Sequence, residues 1–271
     1  MKSHRILLFI PAYNCEVQLP RVLDKVDPSI QAVIDEILII ENRSNDATLQ
    51  VACREIERLP LKSTVIQNDE NYSLGGSIKH AFLYAIENGF THVITLHGDD
   101  QADVRDMLDV LTDGSFEECD LVIGARFHPD SVLDGYSRVR IAGNRILNVV
   151  FGLVARRKVH DLIAGLNLFK MEFYADREFL KFPNNLTFDA HLLLLSMHRK
   201  ARIRYIPVTW REEDQVSNAK TVKQAAIILK LLVRYIFTRQ RVFDQDKSGR
   251  PAGFEYPGLV AAAHESRQGS H

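Results

Sequence analysis

Five short apolar runs alternating with four stretches of helical periodicity predict an α/β domain, Rossmann-like, with a mostly parallel central sheet flanked by helices. The fourth run, Val93-Ile94-Thr95-Leu96, shows no polar alternation, as expected of a strand buried on both faces. It delivers a knot of polar groups, His97-Gly98-Asp99-Asp100-Gln101-Ala102-Asp103. Ligands of open α/β sheets collect beyond the carboxyl ends of their strands, so fold and site are predicted together.

The strand-like runs are 6–10, 37–40, 63–67, 93–96 and 121–123, and the helical stretches between them are 18–26, 48–59, 74–88 and 104–111. Asp103 stands where a helix N-cap is wanted. Past Arg126 the order becomes irregular, with helices expected over 138–154 and 189–200, a strand over 203–208 and a long helix over 221–241. After Asp244 the composition shifts to Gly, Pro, Ser and charge. The chain therefore divides into a domain over 1–220, an amphipathic C-terminal helix over 221–243 and a mobile tail over 244–271, with a short docked turn at 259–263 as an option.

Composition sets the limits. The 271 residues are 46% hydrophobic, enough for a real core, and 34 basic residues balance 35 acidic ones. That balance argues against a general nucleic-acid binder. The three cysteines, Cys15, Cys53 and Cys119, lack paired spacing and suggest neither a disulfide framework nor a zinc site. The apolar run before Pro11 is too short for a secretory signal or an anchor. The expected location is the cytoplasm, and no signal for an oligomeric state is present.

The strand ends carry the chemistry. The first run closes on Pro11-Ala12-Tyr13-Asn14, where proline stops the ladder and presents an aromatic ring and an amide as a rim for a nucleobase. The second closes on Glu41-Asn42-Arg43-Ser44-Asn45-Asp46, in which Glu41 suits base or ribose hydroxyl groups and the rest is turn chemistry opening a helix. Beyond the third, Gly75-Gly76 and Lys79 begin a helix, an arrangement that serves either phosphate binding or close packing. His97, Asp99 and Gln101 are alternate residues that could supply oxygen and imidazole ligands to a divalent cation, with diphosphate oxygens and water completing its shell.

In this order the loops resemble glycosyltransferase family 2, inverting nucleotide-sugar enzymes of GT-A fold, and especially its dolichyl- and polyprenyl-phosphate sugar synthase branch. Pro11-Ala12-Tyr13-Asn14 looks like the family's P-x-Y-N, 41–46 occupies the place of D-D-x-S-x-D, and 97–101 that of D-x-D-x-Q. Gly124-Ala125-Arg126-Phe127 is similar to its G-S-R-Y/F, Arg140 through Asn144 to its R-x-x-G-N, and Asp161-Leu162-Ile163-Ala164-Gly165 to its D-x-x-S-G. His97, Glu41-Asn42 and Ala164 depart from the pattern. Imidazole suits Mn²⁺ better than Mg²⁺, so manganese is the expected metal, with Mg²⁺ as the other choice.

The resemblance implies transfer of a sugar from a nucleoside-diphosphate donor to a polyprenyl phosphate or a glycan, with a catalytically weak or inactive nucleotide-sugar binder left open by His97. It implies a metal on Asp99 and Gln101, donor contacts from 11–14, Glu41 and Lys79, and phosphate contacts from Arg126, Arg140, Arg211 and Lys220. Asp189, in Thr187-Phe188-Asp189-Ala190-His191, becomes the general base for a hydroxyl acceptor, whereas a lipid phosphate, already anionic, needs none. The segment 207–220 reads as a lid over the substrates.

A nucleotidyltransferase would place a glycine-rich loop after the first strand, and none is there. Neither G-x-G-x-x-G nor G-x-x-x-x-G-K-S/T occurs, which disfavours dehydrogenases and P-loop enzymes. Along 221–241, Lys223, Lys230, Arg234 and Arg241 fall within about 20° of one line at 100° per residue beside apolar positions, the pattern of an interfacial helix. Charges interrupt the apolar run, so it cannot span a bilayer, and peripheral contact at the inner membrane face is the expectation.

Overall fold

A computed structural model describes residues 4–212, 221–251 and 253–265, with Thr221 and Val222 described by backbone alone. The first half alternates strand and helix: β1 (Ile6–Ala12), α1 (Gln18–Asp24), α2 (Pro28–Gln31), β2 (Glu36–Glu41), α3 (Thr48–Ile56), β3 (Ser63–Gln67), α4 (Ser73–Glu87) and β4 (His92–Leu96). There follow α5 (Leu108–Thr112), β5 (Leu121–Ala125), β6 (Val132–Asp134), α6 (Arg138–Ala155), β7 (Leu166–Lys170) and α7 (Phe188–His198). The last elements are β8 (Ile203–Pro207), β9 (Thr209–Arg211), α8 (Thr221–Thr238), α9 (Arg241–Asp244) and β10 (Val260–His264).

One sheet takes the order β10-β3-β2-β1-β4-β7-β5-β8, and β6 pairs with β9 apart from it. Strands β3, β2, β1 and β4 run parallel, as do β5 and β8, while β7 is antiparallel to both its neighbours. Side chains alternate across the sheet with a period of two. Leu8 and Ile10 join the cluster beneath α1–α3, whereas Leu7 and Phe9 join the one beneath α4 and α7. With β1 hydrogen-bonded on both edges and covered on both faces, its polar outlet is its carboxyl end, beside that of β4.

Several boundaries differ from the sequence reading. Pro11 does not end β1, which pairs through Pro11 and Ala12 with Ile40 and Glu41. The short β7 was not anticipated, because five residues between loops carry too little periodicity and its place is set by pairing to β4 and β5. The long helix stops at Thr238, and Arg239 takes a left-handed backbone (φ 48°) before α9. Arg241 is thereby removed from the basic stripe.

The segment read as a mobile tail forms β10, antiparallel on the edge of β3, with Gln67 N–H donating to the Leu259 carbonyl at 3.1 Å. An open sheet edge presents unpaired backbone groups, and these residues satisfy them. Small side chains suffice for that purpose, which is why the alanine-rich stretch gave little hydrophobic signal.

Candidate active site

At the carboxyl ends of β1, β2 and β4 lies a cavity of about 470 Å³, with Pro11, Ala12, Tyr13, Asn42, Asn71, Ser73, His97, Gly98 and Asp99 in its wall. The loops that form it brace one another. Asn14 accepts the Asn45 N–H at 2.9 Å and gives its own N–H to Ser44 Oγ at 3.0 Å, and Gly98 N–H donates to the Pro11 carbonyl at 3.2 Å. Asn14, Arg43, Ser73 and Asp100, one in each loop, hold left-handed backbone conformations (φ 49°, 58°, 55° and 63°) that surrounding contacts must enforce.

Glu41 does not reach this cavity. Its buried carboxylate accepts the Ser44 N–H at 2.6 Å and Gln67 Nε2–H at 3.0 Å, which fixes the turn after β2. Asn42 and Asn71 line the wall in its place. The sequence reading passed over both, since asparagines in a polar loop look like turn formers.

His97 and Asp99 do converge on the cavity. The His97 N–H donates to the Gly165 carbonyl at 2.9 Å, and a side chain at 165 would bring its Cβ within 3.2 Å of the imidazole Cγ. Glycine is thus the residue that lets the ring lie flat against that loop. Burial lowers the His97 pKa, with Asp99 opposing and Arg126 adding to the shift, which favours the neutral, ligating imidazole. Gln101 is not among the residues of the cavity wall; its backbone is fixed, the N–H donating to Asp99 Oδ1 at 3.3 Å and the main-chain carbonyl accepting the Arg211 N–H at 2.9 Å. Asp100 is held by Arg21 at 2.7 Å and Lys25 at 2.6 Å.

Among the described residues no group of three or more His, Cys, Asp and Glu side chains could enclose a metal. One carboxylate with an imidazole beside it fits a cation that shares its shell with diphosphate oxygens and water, and does not fit a closed protein cage.

A second cavity, of about 430 Å³, lies between α6 and α8. Its wall combines polar side chains, Arg126, Tyr136, Arg140, Asn144 and Gln224, with the aliphatic Leu147, Leu162, Ile163 and Ile228. Arg126 makes a two-pronged pair with buried Asp161, Nε to Oδ2 and Nη2 to Oδ1, each at 2.8 Å, and its guanidinium stands 5.0 Å from the Trp210 ring. Burial disfavours that charge, but Asp161 outweighs it and raises the Arg126 pKa. Arg140 pairs with Glu212 at 2.6 Å and covers the Tyr136 ring at 4.6 Å. Asp161 and Glu212, as carboxylate partners, decide which guanidinium N–H groups remain for a ligand.

Lys79 and the glycine pair serve packing. Lys79 Nζ is enclosed by the Leu180 and Phe182 carbonyls and Asn184 Oδ1, and burial brings its pKa down to about 7. A Cβ on Gly75 would lie 2.6 Å from the Phe188 Cβ, so α4 approaches α7 too closely for any side chain there. Of the phosphate-binding candidates in 207–220, the segment read as a lid, Arg211 is exposed on β9 beside Asp134, while Lys220 and residues 213–219 fall outside the described residues.

Asp189 sits in the first turn of α7, buried, with no hydrogen-bond partner for Oδ1. Burial pushes its carboxyl up to about 7, with Arg126 pulling the other way. It lines neither cavity.

A family model described as Glycosyl transferase family 2 matches residues 8–177. Glycosyltransferase AglJ of Haloferax volcanii is 24% identical, over 88% of this chain and 74% of that protein. Dolichyl-phosphate beta-glucosyltransferase of Saccharomyces cerevisiae is 23% identical, over 83% of this chain and 72% of its own length. Among solved structures, glucosyl-3-phosphoglycerate synthase of Mycobacterium tuberculosis, in complex with Mn²⁺ and uridine-diphosphate-glucose, superimposes with a TM-score of 0.62 at 14% identity, covering 97% of this chain and 86% of that one.

The Asp189 carboxyl titrates near 3.8 when unfolded and near 7 in the fold, so between these values the unfolded chain has released a proton that the native state keeps. Stability therefore falls as pH rises through that window and levels off above it. Asp189→Asn has no such proton. Urea titrations at pH 5 and pH 8 should show wild type losing about 2 kcal/mol more than Asp189→Asn between the two, and parallel losses would refute the buried, uncompensated carboxyl.

Proposed function

The chain belongs to glycosyl transferase family 2 and has a GT-A type α/β fold, and from that premise we propose that it is an inverting enzyme moving a sugar from a nucleoside-diphosphate donor to a lipid phosphate. The observation that carries this reading is the pairing of His97 and Asp99 on the wall of a cavity closed by neighbouring strand-end loops. Inversion requires the acceptor oxygen to bond to the anomeric carbon as the bond to the diphosphate breaks on the opposite face, so negative charge grows on the leaving group. Asp99, with His97 beside it, would hold a divalent cation, manganese before magnesium, which when bound supplies charge neutralisation for the departing diphosphate. The Mn²⁺ and uridine-diphosphate-glucose bound in the mycobacterial structure support that assignment.

The cavity between α6 and α8 suits an anionic head with an apolar tail, since its wall combines two arginines with aliphatic side chains. The dolichyl-phosphate acceptor in the yeast relative's name agrees. Arg126 and Arg140 would orient the acceptor phosphate, whose oxygen is already a nucleophile and calls for no base. Tyr13, Asn42 and Asn71 would receive the nucleoside.

Contact with a membrane surface follows from the outer faces of the same two helices. Ile146, Val149 and Leu153 of α6 fall within an arc of about 60° at 100° per residue, and all are exposed, as are Ile236 and Phe237 of α8. Arg138, Arg145, Arg156 and Lys158 flank them, the combination that draws a helix onto anionic lipid. No described helix is long and apolar enough to cross a membrane. We place the enzyme as a peripheral protein at the cytoplasmic face.

A second reading rests on Asp189: an unpartnered carboxyl poised near 7 could serve as base for a hydroxyl acceptor. Turnover would then rise with pH through about 7 and vanish in Asp189→Asn, whereas transfer to a lipid phosphate should survive that change.

Titration of UDP, GDP and dTDP with and without Mn²⁺ tests the donor site. Asp99→Ala should weaken the Mn²⁺-dependent part of binding about 100-fold and abolish turnover, a loss of the size seen for groups that answer transition-state charge. Unchanged Mn²⁺-dependent affinity would defeat the assignment, and binding without turnover on polyprenyl phosphate or a glycan would favour an inactive binder. In sedimentation with vesicles of one third anionic lipid by recipe, Val149→Asp with Leu153→Asp should reduce bound protein about tenfold, and equal binding would remove α6 from the membrane.

A further inference from the structure

Between α9 and β10, Arg250, Phe254 and Tyr256 pack on loop 68–73 and the first turns of α4, which contribute Asn71 and Ser77 to the wall of the strand-end cavity. Arg250 pairs with Glu70, and its guanidinium lies 4.3 Å from the Tyr72 ring and 4.7 Å from that of Phe254. Tyr256 stacks on His80, centroids 5.2 Å apart at 21°, and meets the edge of Tyr72 at 5.1 Å. These groups grip loop 68–73 and the first turns of α4.

From His80 a hydrogen-bonded chain runs inward. His80 Nδ1 lies 3.0 Å from Asn68 Oδ1, Asn68 Nδ2–H donates to Asn42 Oδ1 at 2.9 Å, and Asn42 Nδ2–H donates to Asn71 Oδ1 at 2.9 Å. Two backbone donors set the direction of the chain. Tyr72 N–H gives to Asn42 Oδ1 and Ser73 N–H to Asn71 Oδ1, each at 2.8 Å, so both side-chain oxygens are engaged. With both oxygens engaged and one Asn42 N–H given to Asn71, what the amide groups of Asn42 and Asn71 have left to offer the cavity they line is N–H donors, and Asn68 Oδ1 accepts from His80. Its inner members His80, Asn68 and Asn42 are buried, and a hydrogen-bonded chain there favours one arrangement.

We infer that Tyr256 and Arg250 are positioning residues for the donor nucleotide, holding loop 68–73 so that Asn42 and Asn71 present amide N–H groups to acceptor oxygens of the base or ribose. The assignment rests on the donor site proposed above but lies outside the residues 8–177 that the family model matches. Neither residue touches the cavity, and each acts through the loop.

The test uses the full chain. Tyr256→Ala should raise the donor KM, and the dissociation constant for UDP, GDP or dTDP with Mn²⁺, about tenfold, with kcat and acceptor KM changed less than about twofold. Tyr256→Phe keeps the stacked ring and should restore wild-type affinity, and Arg250→Ala, which leaves Tyr256 in place, should give the same KM-against-kcat split if Tyr256→Ala folds poorly. Hydrogen exchange without ligand should quicken at the Tyr72 and Ser73 amides in Tyr256→Ala and not in Tyr256→Phe. Wild-type titrations by Tyr256→Ala and Arg250→Ala, or uniform losses in kcat and both KM values, would overturn the inference alone. Failure of wild type to bind any of the three diphosphates would remove the donor site itself and this assignment with it.

Discussion

Strand β1 is hydrogen-bonded to β2 and β4 and covered on both faces, and that constraint shapes the chemistry available to the molecule. A backbone so enclosed exposes polar groups only where the strand stops, and the neighbouring parallel strands stop on the same side. The loops after β1, β2 and β4 are therefore pressed together, and their residues are spent first on one another. Backbone N–H groups of Asn14, Asn45 and Gly98, donating to Ser44 Oγ, Asn14 Oδ1 and the Pro11 carbonyl, tie three loops into one rim. The left-handed residues in those loops are tolerated because each is over-determined by such ties.

Charge is managed with similar economy. Arg126 with Asp161 and Arg140 with Glu212 stand in pairs, and Lys79 is sealed among carbonyl groups. Removing a charge from water is costly unless it is paired and hydrogen-bonded, and here each has a partner. Asp189 is the contrast, with an oxygen left unpartnered and a proton held to near neutrality. In this member of glycosyl transferase family 2 the two cavities meet different demands. The strand-end cavity offers carboxylate, imidazole and amide groups, and the α6–α8 cavity combines guanidinium with aliphatic walls.

Helix α6 shows how far apolar surface can escape a sequence reading centred on motifs. Its exposed Val139, Ile146, Val149 and Leu153 are unremarkable among core-like residues until the fold leaves that side uncovered. The basic stripe on α8 was read from spacing, and it shortens once the helix ends at Thr238.

The chain's alternation of apolar runs and helical stretches determined the parallel strands β1 to β4, because burial on both faces demands continuous apolar residues that local pattern records directly. The polar knot after β4 determined where His97 and Asp99 would lie, since a strand's carboxyl end is local to its sequence. Which of several candidates face the cavity was decided by the tertiary structure. Glu41 and Gln101 share loops with residues that reach it, yet neither is in its wall: Gln67 from β3 takes up the Glu41 carboxylate, and the Gln101 backbone is tied to the Arg211 backbone of β9. Lys79 was claimed by carbonyls about a hundred residues away, and the C-terminal segment became a strand because the β3 edge needed its hydrogen bonds. Such pairings join groups distant along the chain, and no local periodicity encodes them.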